Sequence, residues 1–127
     1  MTDFREDSHT RTTLDTVDRF NGAFNQHDVD AIMALMTDDC VFESTRPAPD
    51  GERLEGQVAV KAYWTAFFQR SPQARFDVEK VFANGNRCVV QWVYHWVREG
   101  KAGHVRGVDL FRVAGGRIAE KLSYVKG

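Results

Sequence analysis

A chain of 127 residues with 43% hydrophobic and 28% charged side chains has the make-up of one soluble globular domain whose core is large enough to stand alone. Its net charge of -1, with a pI near 6.4, excludes the basic excess of a nucleic-acid binder and favours small neutral or weakly charged partners. The two cysteines, Cys40 and Cys88, lack metal-ligand spacing and read as small buried hydrophobes in a reducing cytoplasm.

Residues 1–11 are polar, with no apolar core. They are expected to be a flexible arm, neither a signal peptide nor a membrane anchor, ahead of a single domain over 12–127. From Thr12 the apolar residues Leu14, Val17, Phe20, Ala23 and Phe24 recur at helical spacing, with Thr12 and Asp15 placed as a partial capping box. That helix ends near Gln26-His27. Asp28 then caps a shorter one carrying Val29, Ile32, Leu35 and Met36, and Asp38-Asp39 introduces an extended run over Cys40 to Thr45. Arg46 to Glu55 contains Pro47, Pro49 and Asp50-Gly51 and reads as a mobile lip. Gly56 to Arg70 forms a third, aromatic helix with Val60, Tyr63, Trp64, Phe67 and Phe68, and Ser71-Pro72 stops it.

The remaining chain reads as a meander of four antiparallel strands. Arg75 to Ala83, Arg87 to Arg98, His104 to Val113 and a terminal strand are separated by turns at Asn84-Gly85-Asn86, Gly100 to Gly103 and Ala114-Gly115-Gly116. Helices first and strands after give an α+β layer with helices on one face of a curved sheet. The strand Arg87 to Arg98 is apolar on both faces: Val90, Trp92, Tyr94 and Trp96 alternate with Val89, Gln91, Val93, His95 and Val97. The second face, continued by Val108, Leu110, Leu122 and Tyr124, needs its own cover. A homodimer through that outer face is the expectation, with a tilted helix or terminal arm as the alternative.

The chemistry centres on the last hairpin. Val105, Gly107, Asp109, Phe111 and Val113 share one strand face, whereas Arg106 and Arg112 on the other face need water, so Asp109 points inward. An acid on an apolar face has to be paired, protonated or used. With a three-residue loop, Val113 pairs with Arg117 and Asp109 lies opposite Lys121, whereas a two-residue loop shifts the register by one and turns Lys121 outward. An ionised Asp109 can abstract a proton alpha to a carbonyl, with Lys121 or Tyr94 steadying the enolate; a protonated one can only donate. Trp92 and Trp96 suit a pocket edge, since an indole N–H needs a partner. Phe42, Trp64 and Phe68 fit either the pocket or the core. His27, His95 and His104 are scattered without ligand spacing, so no metal or other cofactor is expected. Glu43 alternates with inward Phe42 and Ser44 and points out, and Arg46 is a solvated loop charge.

The order of elements, with Phe24-Asn25-Gln26-His27-Asp28-Val29-Asp30-Ala31-Ile32, Asp38-Asp39-Cys40-Val41-Phe42, Leu54-Glu55-Gly56, Gly107-Val-Asp-Leu-Phe-Arg and Gly116-Arg-Ile-Ala-Glu, resembles the SnoaL-like branch of the nuclear transport factor 2-like superfamily. The resemblance covers nearly the whole chain after Thr12. It implies a cone-shaped fold, a curved antiparallel sheet wrapped around three N-terminal helices, with a pocket at the cone's mouth. The superfamily holds polyketide cyclases, ketosteroid isomerases, epoxide hydrolases, dehydratases and non-catalytic members, so the fold does not select a chemistry. The resemblance places Asp109 where the cyclases carry an acid/base aspartate and the isomerases a protonated oxyanion-hole aspartic acid. The isomerase base falls on Ser44, its oxyanion tyrosine on Phe20 and its supporting tyrosines on Met36 and Trp64. The aspartate and arginine positions of the epoxide hydrolases read Val90, Trp92 and Ser123. Two readings follow. One is a cofactor-free cyclase- or isomerase-type enzyme for a hydrophobic carbonyl compound, with Asp109 and Lys121 catalytic and Phe20, Phe42, Ser44, Trp64, Phe68, Trp92, Tyr94 and Trp96 binding substrate. The other is a non-catalytic domain that binds a hydrophobic ligand or only dimerises.

Overall fold

The computed structural model describes residues 4–127, with side chains from Ser8 onward. The elements run α1 (Phe4–Asn25), α2 (Val29–Ala34), β1 (Met36–Glu43), β2 (Arg53–Glu55), α3 (Gln57–Arg70), β3 (Arg75–Asn84), β4 (Arg87–Arg98), β5 (Lys101–Ala114) and β6 (Arg117–Val125). All six strands form one sheet in the order β2-β1-β6-β5-β4-β3, antiparallel except where β1 lies parallel to β6. α1 crosses β3 to β6, while α3 packs on β1 and β2. The core between helices and sheet is built from the α1 stripe Val17, Phe20, Ala23 and Phe24, from Trp64 and Phe68 of α3, and from inward strand residues such as Phe42, Val90 and Phe111.

α1 starts at Phe4 rather than Thr12, so residues 4–11 of the expected arm are helical; Met1 to Asp3 lie outside the described residues. Thr12 caps nothing: its hydroxyl donates to the Ser8 carbonyl one turn back. The extension is held by the sheet. The Gly85 N–H of the β3–β4 turn donates to Thr10 Oγ1 at 2.9 Å, and Thr13 Oγ1 donates to the Gly85 carbonyl at 2.7 Å. Asp28 does cap α2, accepting from the Ala31 N–H at 3.0 Å. Leu35 is the C-cap of α2 and Met36 the first residue of β1, which therefore begins four residues before the expected Cys40. The cause is long-range: Met36 pairs with Ile118, whose N–H donates to the Leu35 carbonyl at 2.7 Å.

The Pro-rich lip is shorter than expected, because Arg53–Glu55 pair with Val41–Glu43 as β2. Cis peptides precede Pro47 and Pro49, and Gly51, at φ 73°, lies against the Ser44 backbone where a Cβ would overlap the Ser44 carbonyl.

β4 and β5 pair without a shift from Arg87↔Arg112 to Arg98↔Lys101, through a turn at Glu99-Gly100 with positive φ at both positions. The turn is thus tighter than Gly100 to Gly103. The β5–β6 turn is also two residues, Gly115-Gly116, at φ 58° and 76°, with Ala114 paired to Arg117. This overturns the three-residue loop. On the outer face, Val89, Leu110 and Leu122 are half-buried, while Phe82 at 63% and Tyr124 at 52% stay exposed. Among the described residues no helix is long and apolar enough to cross a membrane.

Candidate functional site

Asp109 lies inward on β5, 4% exposed, but it does not face Lys121. Its partner across the ladder is Ser123, and Lys121 pairs with Phe111. The two-residue turn moves the register by one, as the sequence argument anticipates, which alone would send Lys121 outward. A β-bulge then restores the parity. Arg112 pairs with Glu120 while Val113 pairs with Ile118, so Ala119 is the extra residue and Ile118 and Ala119 are both buried. Lys121, 5% exposed, therefore points inward beside Asp109.

Three groups form a chain at this point. Lys121 Nζ donates to Ser123 Oγ at 2.9 Å, and Ser123 Oγ donates to Asp109 Oδ1 at 2.7 Å. Lys121 Nζ also lies 3.3 Å from Asp109 Oδ2, both side chains being 6% exposed. The ammonium sits 4.7 Å from the centre of the Phe42 ring and 5.3 Å from that of Trp64. Burial pushes the Lys121 amine below its ordinary range, and the charge of Asp109 and its hydrogen bonding oppose that shift.

Asp109 and Lys121 open onto a cavity between α1 and the sheet, lined also by Phe20, Asn21, Phe24, Phe76, Val78, Val90 and Trp92. Its volume is about 20 Å³, room for one or two waters in this state. The Trp92 indole N–H is buried without a hydrogen-bond partner. The Trp92 ring rests over Gly107, where any Cβ would collide with it.

The other expected binding residues divide. Phe20 and Trp92 line the cavity, and Phe42 and Trp64 bear on it through the Lys121 ammonium. Ser44 does not reach it. Its hydroxyl donates to the Arg46 carbonyl and accepts from the Glu52 N–H, pinning the lip. Phe68 is core, stacked on His27 at 4.3 Å and packed against Phe24. Tyr94 packs on the lining residue Phe76 and on Phe67 but does not itself line the cavity. Trp96 lies over Gly103 with Arg98 above it, so its indole is spent at the sheet's far end. Glu43 points out and pairs with Arg53. His27 bonds the Ala74 carbonyl and His95 bonds Asp77, and no group of three or more potential metal ligands occurs among the described residues.

Sequence reasoning passed over Ser123 and Asn21. Ser123 was recoverable, since it shares a strand face with Lys121 two residues on. The bulge also left a mark, because two adjacent apolar residues, Ile118-Ala119, cannot both be inward in a regular strand.

A curved six-stranded sheet packed against N-terminal helices is the architecture of the nuclear transport factor 2-like class. The chain matches the SnoaL-like domain model over residues 17–121 and belongs to that family. It is similar to a nuclear transport factor 2-like protein of unknown function from Mesorhizobium loti, at 40% identity over 100% of this chain and 98% of that one, with a TM-score of 0.82. It shares its fold with a candidate polyketide cyclase from Xanthomonas campestris, at 22% identity over 93% of each chain and a TM-score of 0.76. The fold is also that of a hypothetical protein with a ketosteroid isomerase-like fold from Catenulispora acidiphila, in complex with trimethylamine, at 16% identity, 86% and 83% coverage and a TM-score of 0.76. No curated protein matches the chain.

Proposed function

We propose that the protein is a cofactor-free acid/base catalyst of the cyclase or isomerase kind, acting on a small, largely apolar carbonyl compound. One observation carries the reading: an acid and an amine, each nine-tenths buried and 3.3 Å apart, share an otherwise mainly apolar cavity. Asp109 takes the proton alpha to the carbonyl, and the Lys121 ammonium with the free Trp92 N–H steadies the oxyanion. The ketosteroid isomerase route is not part of the reading, since Ser44 and Phe20 stand at its base and tyrosine positions. Trimethylamine in the Catenulispora neighbour fits a fold that takes ligands of a few heavy atoms.

The test is hydrogen–deuterium exchange of the alpha protons of small aldehydes and ketones, followed by NMR. Exchange above background that falls at least about 100-fold in Asp109→Asn supports the reading. Binding without exchange sinks it in favour of the second reading, a ligand-binding domain. That alternative draws on the small cavity and on the Ser123, Asp109 and ring contacts that already occupy Lys121.

We further propose that a second copy of the chain covers the outer sheet face, in the cytoplasm, where the buried free thiols of Cys40 and Cys88 stay reduced. The half-buried Val89, Leu110 and Leu122 are flanked by the Arg106–Glu79 and Arg75–Asp77–His95 groups, so a two-fold axis can set acidic against basic rim. Sedimentation of a dimer that Leu110→Lys converts to a folded monomer supports this; a monomeric wild type overturns it.

A further inference from the structure

Lys121 is held in a way that acid/base catalysis by Asp109 does not require. An ammonium that only steadied an enolate would serve best with free donors aimed into the cavity, whereas this one is tied to a hydroxyl that is itself tied to a carboxylate. We infer that Lys121 is an amine nucleophile that condenses with a small aldehyde or ketone in the cavity, and that Ser123 relays its proton to Asp109. The inference rests on the reading that the cavity admits small carbonyl compounds.

The hydrogen-bond chain carries the proton transfer without any heavy atom moving far. Lys121 gives a proton to Ser123 Oγ while the Ser123 hydroxyl proton passes to Asp109 Oδ1, leaving a neutral amine and a carboxylic acid 3.3 Å apart. The lone pair on Nζ then attacks the carbonyl carbon, and the C=O π pair moves to oxygen. One proton passes from nitrogen to that oxygen, giving a carbinolamine. Asp109 protonates the hydroxyl, water leaves with the C–O bonding pair, and the nitrogen lone pair closes the C=N bond. The products are a protonated imine on Lys121, one water and the Asp109 carboxylate, which restores the original charge.

The surroundings favour this. Among the described residues lining the cavity, Asp109 and Lys121 carry the only charges; Phe20, Phe24 and Asn21 face them from α1, Phe76 and Val78 from β3, and Val90 and Trp92 from β4. Phe42 of β1 and Trp64 of α3 supply ring faces, and Tyr63, whose hydroxyl burial keeps protonated, packs behind both rings. Desolvation pushes the Lys121 amine down, toward the neutral form that attacks. Ser123 lies outside the cavity lining while bonded to both members of the pair, so it serves as a positioning and relay residue and leaves the cavity to the carbonyl compound.

The experiment uses acetaldehyde as probe and cyanoborohydride to reduce any imine to a stable ethylamine, with peptide mapping at pH 6.5. The exposed Lys61, Lys80, Lys101 and Lys126 are the internal standard. The hydrogen-bond relay to Asp109 and the burial that pushes the Lys121 amine down both raise its neutral fraction, so ethylation of Lys121 is expected to run faster than theirs. Ser123→Ala is expected to lower that ratio, Ser123→Thr to restore it, and Asp109→Asn to slow the dehydration step. Labelling of Lys121 no faster than of the exposed lysines overturns the inference on wild-type protein alone. A fast adduct with no alpha-proton exchange keeps the amine chemistry and removes the turnover reading. Exchange that survives in Lys121→Arg, with no adduct on wild type, does the opposite.

Discussion

β4 and β5 pair through twelve consecutive positions without a break, whereas each strand flanking that hairpin breaks register once, at Glu79 in β3 and at Ala119 in β6. The regular hairpin is a wall: it carries Val90, Trp92 and Asp109 inward by simple alternation and needs only small residues, such as Gly107, where the ring of Trp92 lies down. The bulged strands make the site. Glu79 follows Val78 at the cavity's lining, and Ala119 returns Lys121 to the inner face. Because β6 is entered through a two-residue turn, its inserted residue is what brings Lys121 and Ser123 to the same face as Asp109.

The first way to sharpen this contrast is to delete Ala119. Joining Ile118 to Glu120 leaves Val113↔Ile118, Arg112↔Glu120, Phe111↔Lys121 and Asp109↔Ser123 in unbroken register, so Lys121 and Ser123 stay inward, while the buried Ala119 and the fit of β6 against β1 are lost, at an expected cost of about 4 kcal/mol in urea unfolding. A folded variant in which Lys121 no longer couples to Asp109 removes this assignment of the bulge. Next comes the pair itself. Asp109→Ala leaves a buried amine without its countercharge and is expected to cost about 3 kcal/mol, while Lys121→Met, which keeps the stem against Phe42, costs about half as much. The double variant Asp109→Ala/Lys121→Met should recover part of the loss; strictly additive values would mean that the two groups do not interact.

On the regular hairpin, Gly107→Ala drives a methyl into the Trp92 ring and the Tyr124 carbonyl and is expected to cost about 2 kcal/mol. A neutral effect would show that the wall tolerates irregularity after all. The smallest effect is one of pH. Because the Lys121 amine is lowered in the folded state, the unfolded chain binds more protons between that lowered value and 10.5, so stability rises with pH across this window. Wild type should gain on Lys121→Met by at most about 1.4 kcal/mol for each unit of depression. A flat difference between pH 7 and 10 contradicts the lowered amine.

Much of this was legible in the chain. Asp28 announced the α2 cap, glycines at 85, 100, 115 and 116 marked the three hairpin turns to within a residue or two although the second and third turns are tighter than their spacing suggested, and Arg87 to Arg98 appeared with its observed limits. Asp109 was placed inward by the alternation of Val105, Gly107, Phe111 and Val113 around it, a local rule that holds wherever the strand is regular. Even the doubt about Lys121 was well posed, because strand parity admits only two answers. What the pattern could not do was choose between them.

That choice belonged to contacts far apart in the sequence. Ile118 pairs with Met36, eighty-two residues earlier, and the parallel β1–β6 ladder shifts register over the same stretch in which β6 carries its extra residue. The same kind of contact lengthens α1, through Thr10 and Thr13 on the Gly85 turn, and keeps Ser44, Phe68, Tyr94 and Trp96 out of the cavity. Sequence by itself determined the α+β class and the inward acid, because hydrophobic period and turn chemistry are properties of neighbouring residues, and the resemblance carried by its motifs pointed to the fold family. Only the tertiary structure decided that Lys121 and Ser123 join Asp109, and how little space they enclose, because a bulge and a cavity arise where separate elements must fit each other.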